Sequence, residues 1–353
     1  MIEIGSEYHL YQNQICNSNS IYDYLIENKH EYFFYSGRTV IDLIIRNHSN
    51  IKEVYLPNYL CQSIIDPFIK NGVKISFYEI SFNNNKFYCT LNDNIDNCFV
   101  LGINYFSSSF SKMDSIYASL KKKSNNVIII DDATHNLFSL SQSKHIDYQF
   151  CSIRKWFPVI TGASLKVNNS PIKLEALNSN LKIYDTKYRA MTLKANYLKS
   201  NNKKLKEQYL DLFKQFNNEF NNYYINRGID DYSIKVLKTI QKEEYCKRRI
   251  ENSSYLIKEI INIKDIQTLL YFEKDVPLFV PIFLNDSIIR DKIKEVMIQN
   301  KIYCPMHWPV PNIDQFRKSQ SLYSNEISLI CDQRYNLTHM KKIIEVLKEN
   351  LDE

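Results

Sequence analysis

The stretch VIIIDDATHNLF, residues 127–138, runs four β-branched apolar residues into the adjacent carboxylates Asp131 and Asp132, with His135 following. A buried strand ending this way sets negative charge at its carboxyl end, where something positive must face it. The alternative is a helix N-cap followed by a solvated histidine. A second group lies in CSIRKWFPVITGASLKV, residues 151–167, where Lys155 follows Ser152 and precedes Trp156 and Phe157. A lysine in such a turn is either a surface charge or, if desolvated among aromatic side chains, an amine of lowered pKa able to form a Schiff base. The third group is YSGRTVIDLII, residues 35–45, a Ser-Gly turn opening a helix. Helix-start amides, with Gly37 allowing close backbone approach, suit an anion, although many such turns are simply N-caps.

An anion cradle, a strand-end carboxylate and a strand-end lysine together match the needs of pyridoxal phosphate. The cradle at Gly37, with Ser152, would hold the phosphate, and Lys155 would bond the aldehyde. Asp132 would keep the pyridine nitrogen protonated, so that the ring accepts electrons.

These groups need strands to position them. EVYLPNYL, KISFYEI, CFVLGINYF, VIIIDDA, YQFCSI and ASLKV read as strands, and RTVIDLIIRNH, CQSIIDPFIKNG and MDSIYASLKKK between them as amphipathic helices. Such alternation predicts an α/β fold with a largely parallel sheet, whose sites collect at the carboxyl ends of strands. From about residue 171 to 260 long helical segments take over, and the C-terminal part returns to mixed character with PLFVPIFL as a strand and two further helices. With only 6 glycines there is no Gly-x-Gly-x-x-Gly loop.

Composition limits the partners. The chain of 353 residues carries a formal charge of +6, with 45 basic and 39 acidic residues interspersed. That suits an anionic small molecule and does not argue for nucleic acid. The 8 cysteines lack metal-ligand or disulfide-frame spacing, so no metal is expected. No window is apolar enough to span a membrane, and MIEIGSEYHL lacks signal-peptide order, so a soluble, cytoplasmic protein is expected.

The sequence resembles the DegT/StrS-type sugar aminotransferases, within the fold type I pyridoxal-phosphate enzymes, over most of its length. YSGRTVIDLI resembles the family's Ser-Gly-Thr helix start, and IDDATH its Glu-Asp-Ala-Ala-Gln motif. SIRKW…TGASLKV resembles its lysine turn and glycine-led strand, and VYLPNYLCQSIIDPFIKNGVKISFYEI its proline-led strand, helix and strand. KYRAMTLKANYLK is similar to the Asn-Tyr-Arg helix that reaches the partner subunit, and IYCPMHWPVP to the small-domain turn.

The resemblance implies Lys155 as the Schiff-base lysine, Asp132 as the pyridinium partner and His135 in place of the glutamine near the ring's 3-oxygen. Ser152, Gly37 and Arg38 fall at phosphate contacts. Tyr59 is assigned to stacking on the ring, although strict position favours Cys61. Lys187 stands where the family has asparagine before Tyr188 and Arg189, the mark of a divergent branch.

The expected architecture is an α/β fold type I aminotransferase. Residues 1–240 would form a large pyridoxal-phosphate-binding domain, with a mostly parallel sheet flanked by helices and a helical connector. Residues 241–353 would form a small C-terminal α+β domain. The expected function is transfer of an amino group from glutamate, or a similar donor, to a keto-sugar, including nucleotide-linked ones, in surface polysaccharide biosynthesis. A pyridoxal-phosphate-dependent sugar dehydratase is the second reading, disfavoured by Lys155, which the family's dehydratases replace. A non-catalytic scaffold keeping the fold is the third, disfavoured by the cost of burying Lys155 and Asp132 without a use. A homodimer is expected, partly from the family and partly from the apolar residues Tyr184, Tyr188, Met191, Leu193, Tyr197 and Leu198 on one helical segment.

Overall fold

Phe99–Ile103 is buried at every position and pairs in parallel with Ile128–Asp132, as fully apolar runs between helices should. In the computed structural model the described residues are 3–10, 19–92, 94–111, 113–174, 177, 181–313 and 321–351. Contacts divide the chain into two compact units. One comprises Glu7–Asn50 and Tyr148–Lys242; the other comprises Glu3–Ser6, Ile51–Asp147 and Glu243–Glu353. The strands between 51 and 147 group by contacts with the C-terminal part.

In the first unit, Ala163–Val167 pairs antiparallel with both Tyr32–Phe34 and Tyr148–Cys151. Helix Gly37–Asn47 buries Val40, Ile41, Leu43, Ile44 and Ile45. The long helices Leu181–Ser200 and Lys203–Asn222 are separated by Asn201 at φ 54°, and the Asn202 side chain caps the second by accepting from the Lys204 N–H. Asparagine tolerates the left-handed region and caps well, so the pair NN ends one helix and begins another.

Tyr184, Met191 and Tyr197 pack with Tyr209, Phe213, Phe216 and Phe220 in one cluster, with Leu193 and Leu198 against it. The apolar surface read as a dimer interface is therefore largely covered within its own chain. Tyr188 alone of that set is exposed, at 41%.

His30 is buried in this unit between the Ser164 hydroxyl (2.9 Å to Nδ1) and the Gln149 side-chain oxygen (3.2 Å to Nε2). Burial lowers its pKa to about 4, outweighing the bond to Gln149. The unfolded chain takes up this proton near the ordinary histidine value, so the stabilisation is complete above pH 6.5 and disappears as pH falls towards 4. About 3 kcal/mol is at stake over that interval. Urea midpoints of wild type and His30→Gln, compared at pH 7 and pH 4.5, should converge towards the acid side.

In the second unit, Ile128–Asp132, Phe99–Ile103, Glu53–Pro57 and Lys74–Asn83 lie side by side in parallel, and Lys86–Thr90 adds an antiparallel edge. Helices Gln62–Lys70 and Asp114–Lys123 are the crossovers. A smaller antiparallel sheet joins Ile266–Thr268, Val280–Leu284 and Glu326–Leu329. Against it lies a core of Leu256, Ile260, Ile293, Met297, Met340, Ile343 and Leu347, from the helices Lys242–Ile260, Ser287–Gln299 and Leu337–Glu349.

Among the described residues no helix is long and apolar enough to cross a membrane. No cluster of His, Cys, Asp or Glu among them could hold a metal ion, and seven described cysteines are free thiols.

Candidate active site

Lys155 ends a short 3-10 turn, Ile153–Lys155, that follows the buried strand Tyr148–Cys151. Ser152 sits at the start of that turn, and its carbonyl accepts from the Lys155 N–H at 3.3 Å. Trp156 and Phe157, next in sequence, are fully buried, whereas Lys155 itself is half-buried. Its ammonium has no hydrogen-bond or ion-pair partner among the described residues. An amine left uncommitted at the mouth of an aromatic turn is available to a carbonyl carbon.

The turn is joined to the helix start of the same unit. Gly162 N–H donates to the Tyr35 carbonyl at 2.8 Å, immediately before Ser36 and Gly37. Ser36 is a true N-cap: its hydroxyl accepts from the Thr39 N–H at 3.3 Å and lies 3.0 Å from the Thr39 hydroxyl. The cap takes the third helical amide, while those of Gly37 and Arg38 precede the first intrahelical bond and point out of the helix start. A Cβ at Gly37 would come within 3.1 Å of the Phe150 ring, so glycine lets this start approach the strand that leads to Lys155. The Arg38 guanidinium donates to the Asn221 side-chain oxygen at 2.7 Å. Ser152, Lys155, Gly37 and Arg38 thus belong to one unit.

Asp132, His135 and Tyr59 belong to the other, at the carboxyl ends of its parallel strands. Pleat alternation sends the two adjacent aspartates to opposite faces. Asp131 turns towards helix Asp114–Lys123, where its Oδ1 accepts from the Tyr117 hydroxyl at 2.7 Å and from the Asn104 amide at 2.8 Å. Gly102, opposite Asp131 in register, permits this, since a Cβ there would sit 2.1 Å from the Tyr117 oxygen. Burial, together with the Asp131 charge, pushes the Tyr117 phenol well above its usual pKa. Asp132 is on the other face and 7% exposed, with Oδ1 accepting from the Thr134 N–H at 2.8 Å.

The Ser107 hydroxyl donates to the His135 carbonyl. The His135 ring stacks on Trp308 at 5.4 Å and meets the edge of His307 at 5.2 Å. His307 is itself held: its N–H donates to the Glu326 carboxylate at 2.5 Å, and its Nδ1 lies 2.8 Å from the Ser328 hydroxyl, which donates to the other Glu326 oxygen at 2.5 Å. Glu326 is fully buried.

Tyr59 is also fully buried. Its ring stacks on Phe87 at 5.8 Å and Tyr105 at 5.4 Å, and Trp308 and Tyr323 close the other sides at 5.1 Å each. Its hydroxyl donates to the His307 carbonyl. Burial, and next the Glu326 charge, push its phenol well above the usual value. Tyr59 is a wall residue of an aromatic core and presents no open ring face for a ligand. Cys61, which caps helix Gln62–Lys70, is half-exposed.

Sequence reading missed the supports. Glu326 in the strand EISL is a carboxylate at the head of a wholly buried strand, a mismatch between charge and pattern that marks it as engaged. Asp230 precedes Ser233 by three residues at a helix start, a readable cap signal. Neither its partner Thr161 nor the turn of Lys187 into the protein could be read from spacing.

By the chemistry of their donors the residues are of the types that pyridoxal phosphate needs: an uncommitted amine and helix-start amides in the first unit, and a buried carboxylate at a strand end in the second. No protein-family profile and no curated protein matches the sequence. Solved structures do match. Spr1654 of Streptococcus pneumoniae, named as a sugar aminotransferase and solved in its PMP form, aligns over 99% of each chain with a TM-score of 0.67 at 11% identity. Helicobacter pylori PseC, an aminotransferase involved in the biosynthesis of pseudoaminic acid, aligns over 99% of this chain and 100% of its own, with a TM-score of 0.64 at 14% identity. NtdA from Bacillus subtilis with bound cofactor PMP aligns over 94% of this chain and 76% of its own, with a TM-score of 0.63 at 13% identity. Likeness at such low identity speaks to architecture, and on that ground the chain has the fold of the fold type I aminotransferases.

Proposed function

We propose that the protein is a pyridoxal-phosphate-dependent aminotransferase that moves an amino group from glutamate, or a similar donor, to a keto-sugar. The observation that carries this reading is Lys155: a half-buried lysine whose amine is uncommitted among the described residues, on a turn tied to a helix start. The fold shared with a sugar aminotransferase solved in its PMP form, with NtdA solved with bound PMP and with the aminotransferase PseC supports it.

The bound cofactor would supply an aldehyde for amine exchange and a ring that takes up electrons. Lys155 would bind the aldehyde carbon, then act as the base that moves a proton between the two carbons flanking the exchanged nitrogen. Asp132 would hold a proton on the ring nitrogen, and His135 would bond the ring oxygen. The amides of Gly37 and Arg38, with Ser152, would receive the phosphate. Lys155 is the reason to prefer transamination over dehydration of the sugar, and it also speaks against a scaffold without chemistry.

The same proposal includes a homodimer, a cytoplasmic location and a role in surface polysaccharide assembly. It keeps residues 1–240 as the cofactor-binding part and 241–353 as the smaller one. The dimer rests on the resemblance alone, because the apolar face of Leu181–Ser200 is largely used within the chain; light scattering tests it. Loading with pyridoxal phosphate and adding glutamate should release one 2-oxoglutarate per active site, after which a keto-sugar should leave as an amino-sugar. Loss of water from the sugar without 2-oxoglutarate would favour the dehydratase.

A further inference from the structure

We propose that Lys187 and Asp230 are positioning residues that grip one peptide group and so hold the Lys155 turn against the phosphate-binding helix start. The inference rests on the function proposed above. The Lys187 ammonium donates to the Ile160 carbonyl at 3.0 Å. The Thr161 N–H donates to Asp230 Oδ2 at 3.1 Å. That carbonyl and that N–H are the two ends of the same peptide unit. A cation lies on its negative end and a carboxylate on its positive end, so both charges oppose rotation of the peptide.

The Thr161 and Ser233 hydroxyls both donate to Asp230 Oδ2, at 2.5 and 2.6 Å. Ser233 Oγ in turn accepts from the Ile160 N–H at 2.9 Å. Tyr8 fixes the other end of the turn by donating to the Trp156 carbonyl at 2.6 Å. Gly162 follows at once, at φ +147°, and makes the bond to Tyr35 that leads into Ser36 and Gly37. The path from Lys155 to the helix start therefore passes through the gripped peptide.

Lys187 and Asp230 are 4% and 5% exposed. Burial, then the Arg154 charge, lower the Lys187 pKa to about 8, against the opposing pull of Glu7 and Asp230; its ammonium also lies 4.9 Å from the Phe216 ring centre. A bare packing position would hold a smaller, uncharged residue at less cost.

The test uses the full chain stripped of cofactor. Pyridoxal phosphate is added, samples are reduced with borohydride over time, and the modified Lys155 is quantified by mass spectrometry beside a thermal melt. Lys187→Gln keeps a donor for the Ile160 carbonyl but removes the charge. It should melt like wild type yet modify Lys155 about tenfold more slowly, and it should shift the pH midpoint of the bound cofactor's absorption. Thr161→Val, which removes the hydroxyl's bond to Asp230 Oδ2 and the one it accepts from the Asp230 N–H but buries no charge, should slow capture less. Equal capture rates and midpoints in wild type and Lys187→Gln would overturn the inference alone. Failure of both variants to fold would also overturn it, since Lys187 and Asp230 would then be requirements of the core. A wild type that takes up no cofactor on Lys155 would overturn the function proposed above and this inference with it.

Discussion

Lys155→Ala should give a folded protein that cannot be labelled by cofactor and borohydride and whose turnover falls about 10³-fold or more. Folding should survive because the Lys155 ammonium has no partner among the described residues and the side chain is only half-buried. The anchors of its turn lie elsewhere: Tyr8 on the Trp156 carbonyl, Lys187 on Ile160 and Asp230 on Thr161. Thermal melts of wild type and variant should coincide, while the reduced cofactor peptide disappears. Persistent labelling in Lys155→Ala, mapped to another lysine, would contradict the assignment.

Asp132→Asn and substitutions of Asp131 should fail in different ways. Asp132→Asn should stay folded, retain cofactor weakly and lose about a hundredfold or more in turnover, because an amide does not stabilise a protonated ring nitrogen. Asp131→Asn keeps an oxygen for Tyr117 and Asn104 and should change turnover little. Asp131→Ala leaves that buried hydroxyl and amide without their acceptor. It should cost about 3 kcal/mol of stability, with catalysis altered only as far as folding is. Urea denaturation and steady-state kinetics on the three variants separate the outcomes. Equal kinetic loss at both positions would mean that the two carboxylates do not divide between cofactor and fold.

Much of this fold was legible because its strands are short apolar runs bounded by turn residues. ASLKV, VIIIDDA and KISFYEI were found by pattern and match Ala163–Val167, Ile128–Asp132 and Lys74–Asn83 to within a few residues. Lys86–Thr90 was missed because its alternation is weak. Its hairpin turn uses Asn84 and Asn85, at φ 48° and 61°, instead of the more recognisable Asn-Gly. The segment 233–261 reads as one helix but splits at Ile240, whose backbone is extended, because Gln241 bridges to Ser20. Local propensity cannot see a distant partner.

Of the candidate site, the sequence shows where its residues stand relative to strands and turns. Asp132 ends the strand Ile128–Asp132 and Lys155 ends the short turn after the strand Tyr148–Cys151, and such positions can be read. Tyr59 was not legible: aromatic type and position suggested a stacking face, whereas Phe87, Tyr105, Trp308 and Tyr323 enclose it. Lys187 was read only as a departure from the family's asparagine; its ammonium points into its own unit, onto the Ile160 carbonyl.

The most direct test of the central claim is the absorption spectrum of the purified protein loaded with pyridoxal phosphate, recorded before and after glutamate is added. A yellow band that bleaches on adding glutamate and returns on adding 2-oxoglutarate is the result expected of an aminotransferase built on Lys155 and Asp132. A protein that stays colourless and retains no pyridoxal phosphate after dialysis would contradict the account.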